Sequence, residues 1–293
     1  MAGVGTNITA ADYNAIQTKI SDVMTTGTDT YGYGQTINSS QVTNSLIATV
    51  AQWDNLRADL LRARQHQTGV DESTNLTAAT TSTKISETIR TQYDTFANTV
   101  ATNRNVVPPT GQGSRLSLSA LTRTTAWNTL ITHTITLTFA SLNAARWYFN
   151  AGGVIEFTAS LPDDGTTATK NNSWYLLLRN MGKISFVLAS TFASGSGTGS
   201  SIGYSSLTST DQLVFQKTTE APTYNPNAYR IYARTGSSTA QIIFTIQFND
   251  SYAPGGYGID ENVTGVISST VEGYYASGTN VSVTAPSATA SFP

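Results

Sequence analysis

The chain contains no cysteine. Disulfides and thiolate metal sites are therefore excluded, while the redox compartment stays open. Charge is scarce too: Asp, Glu, Lys and Arg make up 12% of the 293 residues, about half the usual share. The net charge is −2 and the pI about 5.6, which argues against a nucleic-acid binder working by counterion release. It also gives little self-repulsion, so the surface tolerates close packing with copies of itself or with other proteins. No window approaches the roughly eighteen apolar residues of a membrane span, and no membrane insertion is expected. Met1-Ala2-Gly3-Val4-Gly5-Thr6-Asn7 has neither a basic region nor an apolar run, so it does not read as a signal peptide.

Hydroxyls stand where charges would be: 80 of 293 residues are Ser or Thr. Disorder needs low hydrophobicity together with high net charge. Here 39% of residues are hydrophobic and 10% aromatic, so the hydroxyls are expected on outward strand faces, where β-branched Thr packs well. Seven Asn-x-Ser/Thr sequons, for example at Asn75 and Asn262, are what chance gives in such a composition.

The pattern changes at Val106-Val107-Pro108-Pro109-Thr110-Gly111. Before it, apolar residues recur at helical spacing. Thr9 followed by Asp12 is a capping-box pattern opening a helix over 9–26 that carries Ile16, Ile20, Val23 and Met24, with Gly27 as its end. Tyr31-Gly32-Tyr33-Gly34-Gln35 is a loop whose Tyr31 and Tyr33 either plug into a neighbour or fold back on the chain's own helices. A second helix, 40–67, capped by Ser39 or Ser40 and closed by Gly69, carries the stripe Val42, Leu46, Val50, Trp53, Leu56 and Leu60. A third, 83–103, carries Ile85, Ile89, Tyr93, Phe96 and Val100. Two such stripes pair as a helical hairpin or form a seam between subunits, so their members are the candidate interface.

From Leu116 the period shifts to two. Ile131, His133, Ile135, Leu137 and Phe139 share one strand face, and Thr132, Thr134, Thr136 and Thr138 the other. Strands are also expected at 154–159, 183–188, 212–216, 229–234 and 242–248, with further ones around 263–272 and 281–284. Residues 171–180 read as one short helix, Gly152-Gly153, Gly236-Ser237 and Gly255-Gly256 as turns, and the polar tail 285–293 as loose unless another chain holds it. The fold class expected is α+β and multidomain. An N-terminal helical hairpin or bundle (1–105, attachment and oligomerisation) and a Pro/Gly linker (106–114) precede an antiparallel, jelly-roll-like β-sandwich (115–293).

No constellation names a chemistry. His66, beside Gln65 and Gln67, and His133 each read as a cap or a hydrogen-bonded core residue, without a second His or Cys nearby for a metal. Asp163-Asp164 lies in a Pro-Asp-Asp-Gly turn, and Asp260-Glu261 precedes an apolar strand. A glycosidase would need such carboxylates facing across a cleft, and calcium would need clustered oxygens, but solvated turns and caps account for both pairs. Gly195-Ser196-Gly197-Thr198-Gly199-Ser200-Ser201 lacks the lysine and the following helix of a phosphate loop. Arg230, Tyr232 and Arg234 share one strand face that either binds an anionic polymer or discourages edge pairing. Tyr252, Tyr257, Tyr274 and Tyr275 on Gly-rich segments suit sugar stacking or interface anchoring. No cofactor and no enzymatic activity are expected.

Several blocks carry a family resemblance. Residues Ala2 to Asn14, Tyr31 to Gln35, Trp147 to Phe157, Met181 to Phe186, Gly195 to Gly203 and Ile259 to Gly265 resemble, in order, virion structural proteins of contractile-tailed phages that infect cyanobacteria. The resemblance implies a non-enzymatic virion part of the tail, baseplate or fibre, assembled in the host cytoplasm. Its partners would be copies of itself as a trimer, other virion proteins and a host-surface glycan or protein. A neck (collar) fibre, a capsid decoration protein and a host-glycan-binding module are the alternatives.

Overall fold

Thr9 accepts the backbone N–H of Asp12 on its hydroxyl, and Asp12 reaches back to the N–H of Thr9, so the capping box opens α1 (Ala10–Met24). In this computed structural model, which describes residues 8–43, 46–81, 85–238, 240–254 and 260–293, a second box formed by Thr49 and Gln52 opens α2 (Val50–Thr68). α2 closes at Gly69, left-handed at φ 73°. Ser86 caps α3 (Glu87–Thr102). Two expectations are corrected here. The second helix starts ten residues later than the apolar stripe implied, and the third starts at Glu87 rather than 83. Ser39 caps nothing: its N–H and that of Asn38 both donate to the Asp59 carboxylate, while Val42 exchanges two 2.8 Å backbone bonds with the Asn14 side chain. Side chains thus satisfy the backbone of 38–42 in an extended form, and a helix there has nothing to gain from its own ladder.

The chain divides into two units, neither continuous in sequence. One contains Met1–Ser114, Arg146–Gly153 and Tyr275–Thr284, the other Arg115–Ala145, Val154–Tyr274 and Ala285–Pro293. The serial division expected, with one boundary at 106–114, is replaced by a helical unit that recruits two short later segments.

In the helical unit each of the three helices packs on the other two. Tyr13, Trp53 and Tyr93, one from each, meet edge to face with ring centroids 5.2 and 5.1 Å apart. Ile16, Ile20, Leu56, Leu60, Ala97 and Val100 complete this core, joined by Ala151, Ala276 and Val281 from the recruited segments. The loop Tyr31–Gln35 folds back on its own unit: Tyr33 is buried with its hydroxyl on the Arg104 carbonyl, and the Arg104 guanidinium lies 3.9 Å from the Tyr31 ring centroid. Gly34, at φ 70°, lets the Trp147 indole close on the backbone, since a Cβ there would fall 2.3 Å from the ring.

The second unit is built on two five-stranded antiparallel sheets. The first has the order β1 (Gly113–Arg123), β9 (Ile267–Ala276), β3 (Val154–Ser160), β4 (Ile184–Phe186), β5 (Thr191–Ala193). The second has β10 (Ser287–Ser291), β2 (Leu130–Thr138), β8 (Gln241–Asn249), β7 (Ala228–Thr235), β6 (Gln212–Thr218). Phe244 of β8 meets Phe157 and Phe186 of the other sheet at 4.9 and 5.1 Å, so the sheets face each other across an aromatic core. β1 and β2 each find their partners late in the chain, in β9 and β8, the wrapping of a jelly roll, while β6, β7 and β8 run as a meander. The alternation in β2 holds: Ile131, His133, Ile135 and Leu137 point inward and the threonines outward.

The expected helix at 171–180 is α5 (Lys170–Met181). The helix α4 (Leu142–Asn150), shared between the two units, has no counterpart among the expected elements. Residues 281–284 form one bridge, Ser277 to Ser282, rather than a strand. The tail is not loose: β10 pairs with β2 from Ser287 opposite Thr138 to Ser291 opposite Thr134. Its alternating small residues match the pleat, Ala288 and Ala290 on the side of Leu137 and Ile135.

Candidate functional site

A dense polar cluster gathers at the first turn of α5. Thr169 caps α5 by accepting the Asn172 N–H at 3.1 Å, which fixes Lys170 as the first helical residue. The Lys170 side chain runs inward and is wholly buried. Its Nζ donates to Asp250 Oδ2 at 2.9 Å and to Asp260 Oδ1. Asp250 ends the β8 hairpin arm and its side chain is also wholly buried, whereas the Asp260 side chain is partly open. The Tyr252 ring lies 5.2 Å from Nζ and meets the Tyr224 ring edge to face. Glu261 Oε2 accepts the backbone N–H of Lys170 and the Tyr224 hydroxyl, a carboxylate placed where the α5 dipole is positive. Burial raises the Asp250 pKa above the ordinary carboxylate range against the opposing pull of Lys170. Asn227 also lowers the Asp250 pKa through a side-chain hydrogen bond, while Asp250 Oδ1 makes no close hydrogen bond among the described residues.

Of the two acidic pairs, Asp260-Glu261 therefore belongs to this cluster. Asp163-Asp164 is a turn: Asp163 accepts the Gly165 N–H and Asp164 the Thr166 N–H, and Asp164 also holds Asn171. These hydrogen bonds, that from the Thr166 hydroxyl first, hold the Asp164 pKa below its usual value. Beside α5 lies a groove of about 260 Å³ lined among others by Asn172, Leu176, Thr219 and Tyr224.

His133 is buried between the sheets, with Nε2 3.1 Å from Ser119 Oγ of β1 and Nδ1 2.7 Å from Ser269 Oγ of β9. One ring nitrogen donates and the other accepts, an arrangement that suits the neutral ring, and desolvation lowers its pKa to about 4. Phe292 of the tail lies against it at 5.6 Å. In the helical unit His66 Nε2 donates to the Ala151 carbonyl at 3.1 Å, and Nδ1 has no hydrogen-bond partner among the described residues. Burial likewise lowers its pKa to about 4, against that hydrogen bond.

Arg230, Tyr232 and Arg234 do share the outward face of β7. Arg230 Nε is tied to Gln216 Oε1 at 2.8 Å and Arg234 Nε to Asp211 at 3.2 Å, so half of the cationic character is answered within the chain. Tyr252 turns to the Lys170 cluster. Tyr257 lies outside the described residues. Tyr274 stands near Arg115 and Tyr275 near Tyr148.

The candidate interface is redistributed. Trp53, Leu56, Leu60, Tyr93, Phe96 and Tyr33 are buried in the helical core, and Val42 is buried in the loop before α2. Val50, Ile85, Ile89 and Tyr31 are half-buried against the same core. The stripes are thus answered within one chain, which corrects their reading as a seam open to another subunit. Leu46 alone of the set is exposed, at 60%, next to Ile47 at 86%. Lys170, Asp250 and Asp59 were not singled out by the sequence. A lysine behind a helix cap and an aspartate at a strand end look like solvated surface, and only the burial of both marks them. No protein-family model, no curated protein and no solved structure matches the chain.

Proposed function

We propose that the chain is a structural protein of a phage particle, an oligomeric component of the tail, baseplate or fibre. The observation that carries this reading is the internal use of the residues that chemistry would need: Lys170 binds Asp250 and Asp260, and His133 is held by two serines. What remains outside is a Thr- and Ser-faced sandwich with little charge and a few exposed apolar side chains such as Leu46 and Ile47. Such a surface suits dense packing among repeated copies. Sedimentation of the purified chain and immunoblotting of gradient-purified particles test it together. An oligomer that is also found in particles supports the proposal, and a strict monomer absent from particles refutes it. Copy number per particle separates a tail station from a neck fibre or a capsid decoration.

A glycan-binding module is favoured by one feature, the groove beside α5, which offers hydroxyl, amide and aromatic groups of the kind a sugar uses. A glycan array without hits removes it.

A further inference from the structure

We propose that Lys170 and Asp250 condense into an amide that covalently joins the first turn of α5 to the end of β8. Three observations carry it. The amine and the carboxyl are both wholly inaccessible to solvent and already 2.9 Å apart, with the carboxyl carbon one C–O bond beyond. Asp250 Oδ1 makes no close hydrogen bond among the described residues, the Asn227 side chain being its weaker neighbour, so the carboxyl is held less firmly than a fully hydrogen-bonded ion. A second carboxylate, Asp260, touches the same Nζ from the side that reaches solvent. Tyr252 and Tyr224 shield the group.

These are the parts such a condensation needs: an amine held at near-attack range, a carbonyl carbon, a base, and exclusion of water. Asp260 takes a proton from the Lys170 ammonium. Asp250 takes up one proton from solvent to reach its neutral form, which burial favours, and the freed lone pair attacks its Cγ. A C–N bond forms and one C–O bond breaks. The departing hydroxyl leaves as water with a proton from the nitrogen. Asp260 ends protonated and returns its proton to solvent through its open side. Overall an ammonium and a carboxylate become an amide and one water, with no oxidant, reductant or cofactor. The product also exchanges a buried ion pair for a neutral group, which removes a desolvation penalty that the pair otherwise carries.

The intact mass of the purified full-length chain tests this. The expected value is lower than that of the sequence by one water, with trypsin unable to cleave after Lys170 and a branched peptide carrying Lys170 and Asp250. Asp260→Asn is expected to fold and to show the full mass. A folded wild-type chain at full mass overturns the proposal. So does a water loss that leaves cleavage after Lys170 intact, as a succinimide at Asp164-Gly165 would, or a branch that maps to Asp260. An Asp260→Asn chain that still loses water overturns the role given to Asp260. None of these readings depends on whether the chain belongs to a particle.

Discussion

Acidification from pH 7 to 5 should weaken the helical unit chiefly through His66. Its Nε2–H is committed to the Ala151 carbonyl, and its Nδ1 faces no acceptor. Protonation would bury a second N–H without a partner and a charge without a counter-ion. The folded pKa is therefore depressed to about 4 from an ordinary 6.5. For a base depressed in this way the unfolded chain binds more protons between pH 6.5 and 4, so stability rises with pH across that window and is lost on acidification. Linkage with these two pKa values gives a loss of about 2 kcal/mol at pH 5 and about 3 kcal/mol at pH 4 relative to pH 7. His133 adds a similar slope in the β unit, about 2 kcal/mol at pH 5, since its wholly buried ring is likewise depressed to about 4. Where Asp250 is still a free carboxyl, not yet joined to Lys170, it works against the His133 share. Its raised pKa means that the folded state gains protons as the pH falls, which offsets part of the loss in the β unit. Urea unfolding followed by tryptophan fluorescence at pH 7, 6 and 5 measures the sum, and His66→Gln, which keeps a donor for Ala151, should remove the share due to His66. An NMR titration of the His66 ring with a midpoint near 6.5, or an unchanged slope in His66→Gln, would refute the reasoning.

Trp53→Ala should cost about 3–5 kcal/mol, since the indole joins all three helices, and calorimetry would show it as a lowered midpoint for the helical unit. Asp59→Ala strands the N–H groups of Asn38 and Ser39 and should cost about 2–4 kcal/mol by urea titration, whereas Asp59→Asn should recover part of that. Thr49→Ala removes the α2 cap at an expected cost of about 1 kcal/mol, and a loss several times larger would mean that residues 46–49 do more than cap. Leu46→Ser with Ile47→Ser should leave monomer stability within about 0.5 kcal/mol. If this loop is a contact between copies, the same pair of changes shifts the sedimentation coefficient toward the monomer.

The elements that could be read from the sequence are those whose periodicity is set by a single local face. β2 is the clearest case: its threonines and aliphatics alternate without interruption, and the strand lies where the period put it. α1 was legible down to its capping box, because Thr9 and Asp12 sit three residues apart and need no tertiary partner. The start of α2 was not legible. Val42 and Leu46 continue the apolar spacing of the helix perfectly well, but Asn14 and Asp59 bind the backbone between 38 and 42, and neither is near in sequence. The tail failed for the converse reason. Ser-Ala-Thr-Ala-Ser has no apolar face of its own and becomes a strand only because β2 offers an open edge.

The same asymmetry governs the candidate site. Sequence reading treats charged residues as surface, since they seldom lie fully buried unless paired. In a chain with so few charges the exceptions decide the interior. Asp59, Lys170 and Asp250 are wholly buried at the side chain, and each is the point where segments distant in sequence are tied: residues 38–39 to α2, and α5 to the end of β8. Removing one partner of such a tie leaves an unpaired charge in the interior, which costs far more than the pair contributes when intact. That makes the ties selective rather than strongly stabilising. An alternative pairing of the sandwich would bury Lys170 without Asp250, and the resulting penalty excludes it. The few charges are thus used to choose one arrangement of the chain, and the outward faces are left to hydroxyls that can meet a neighbouring surface at low desolvation cost.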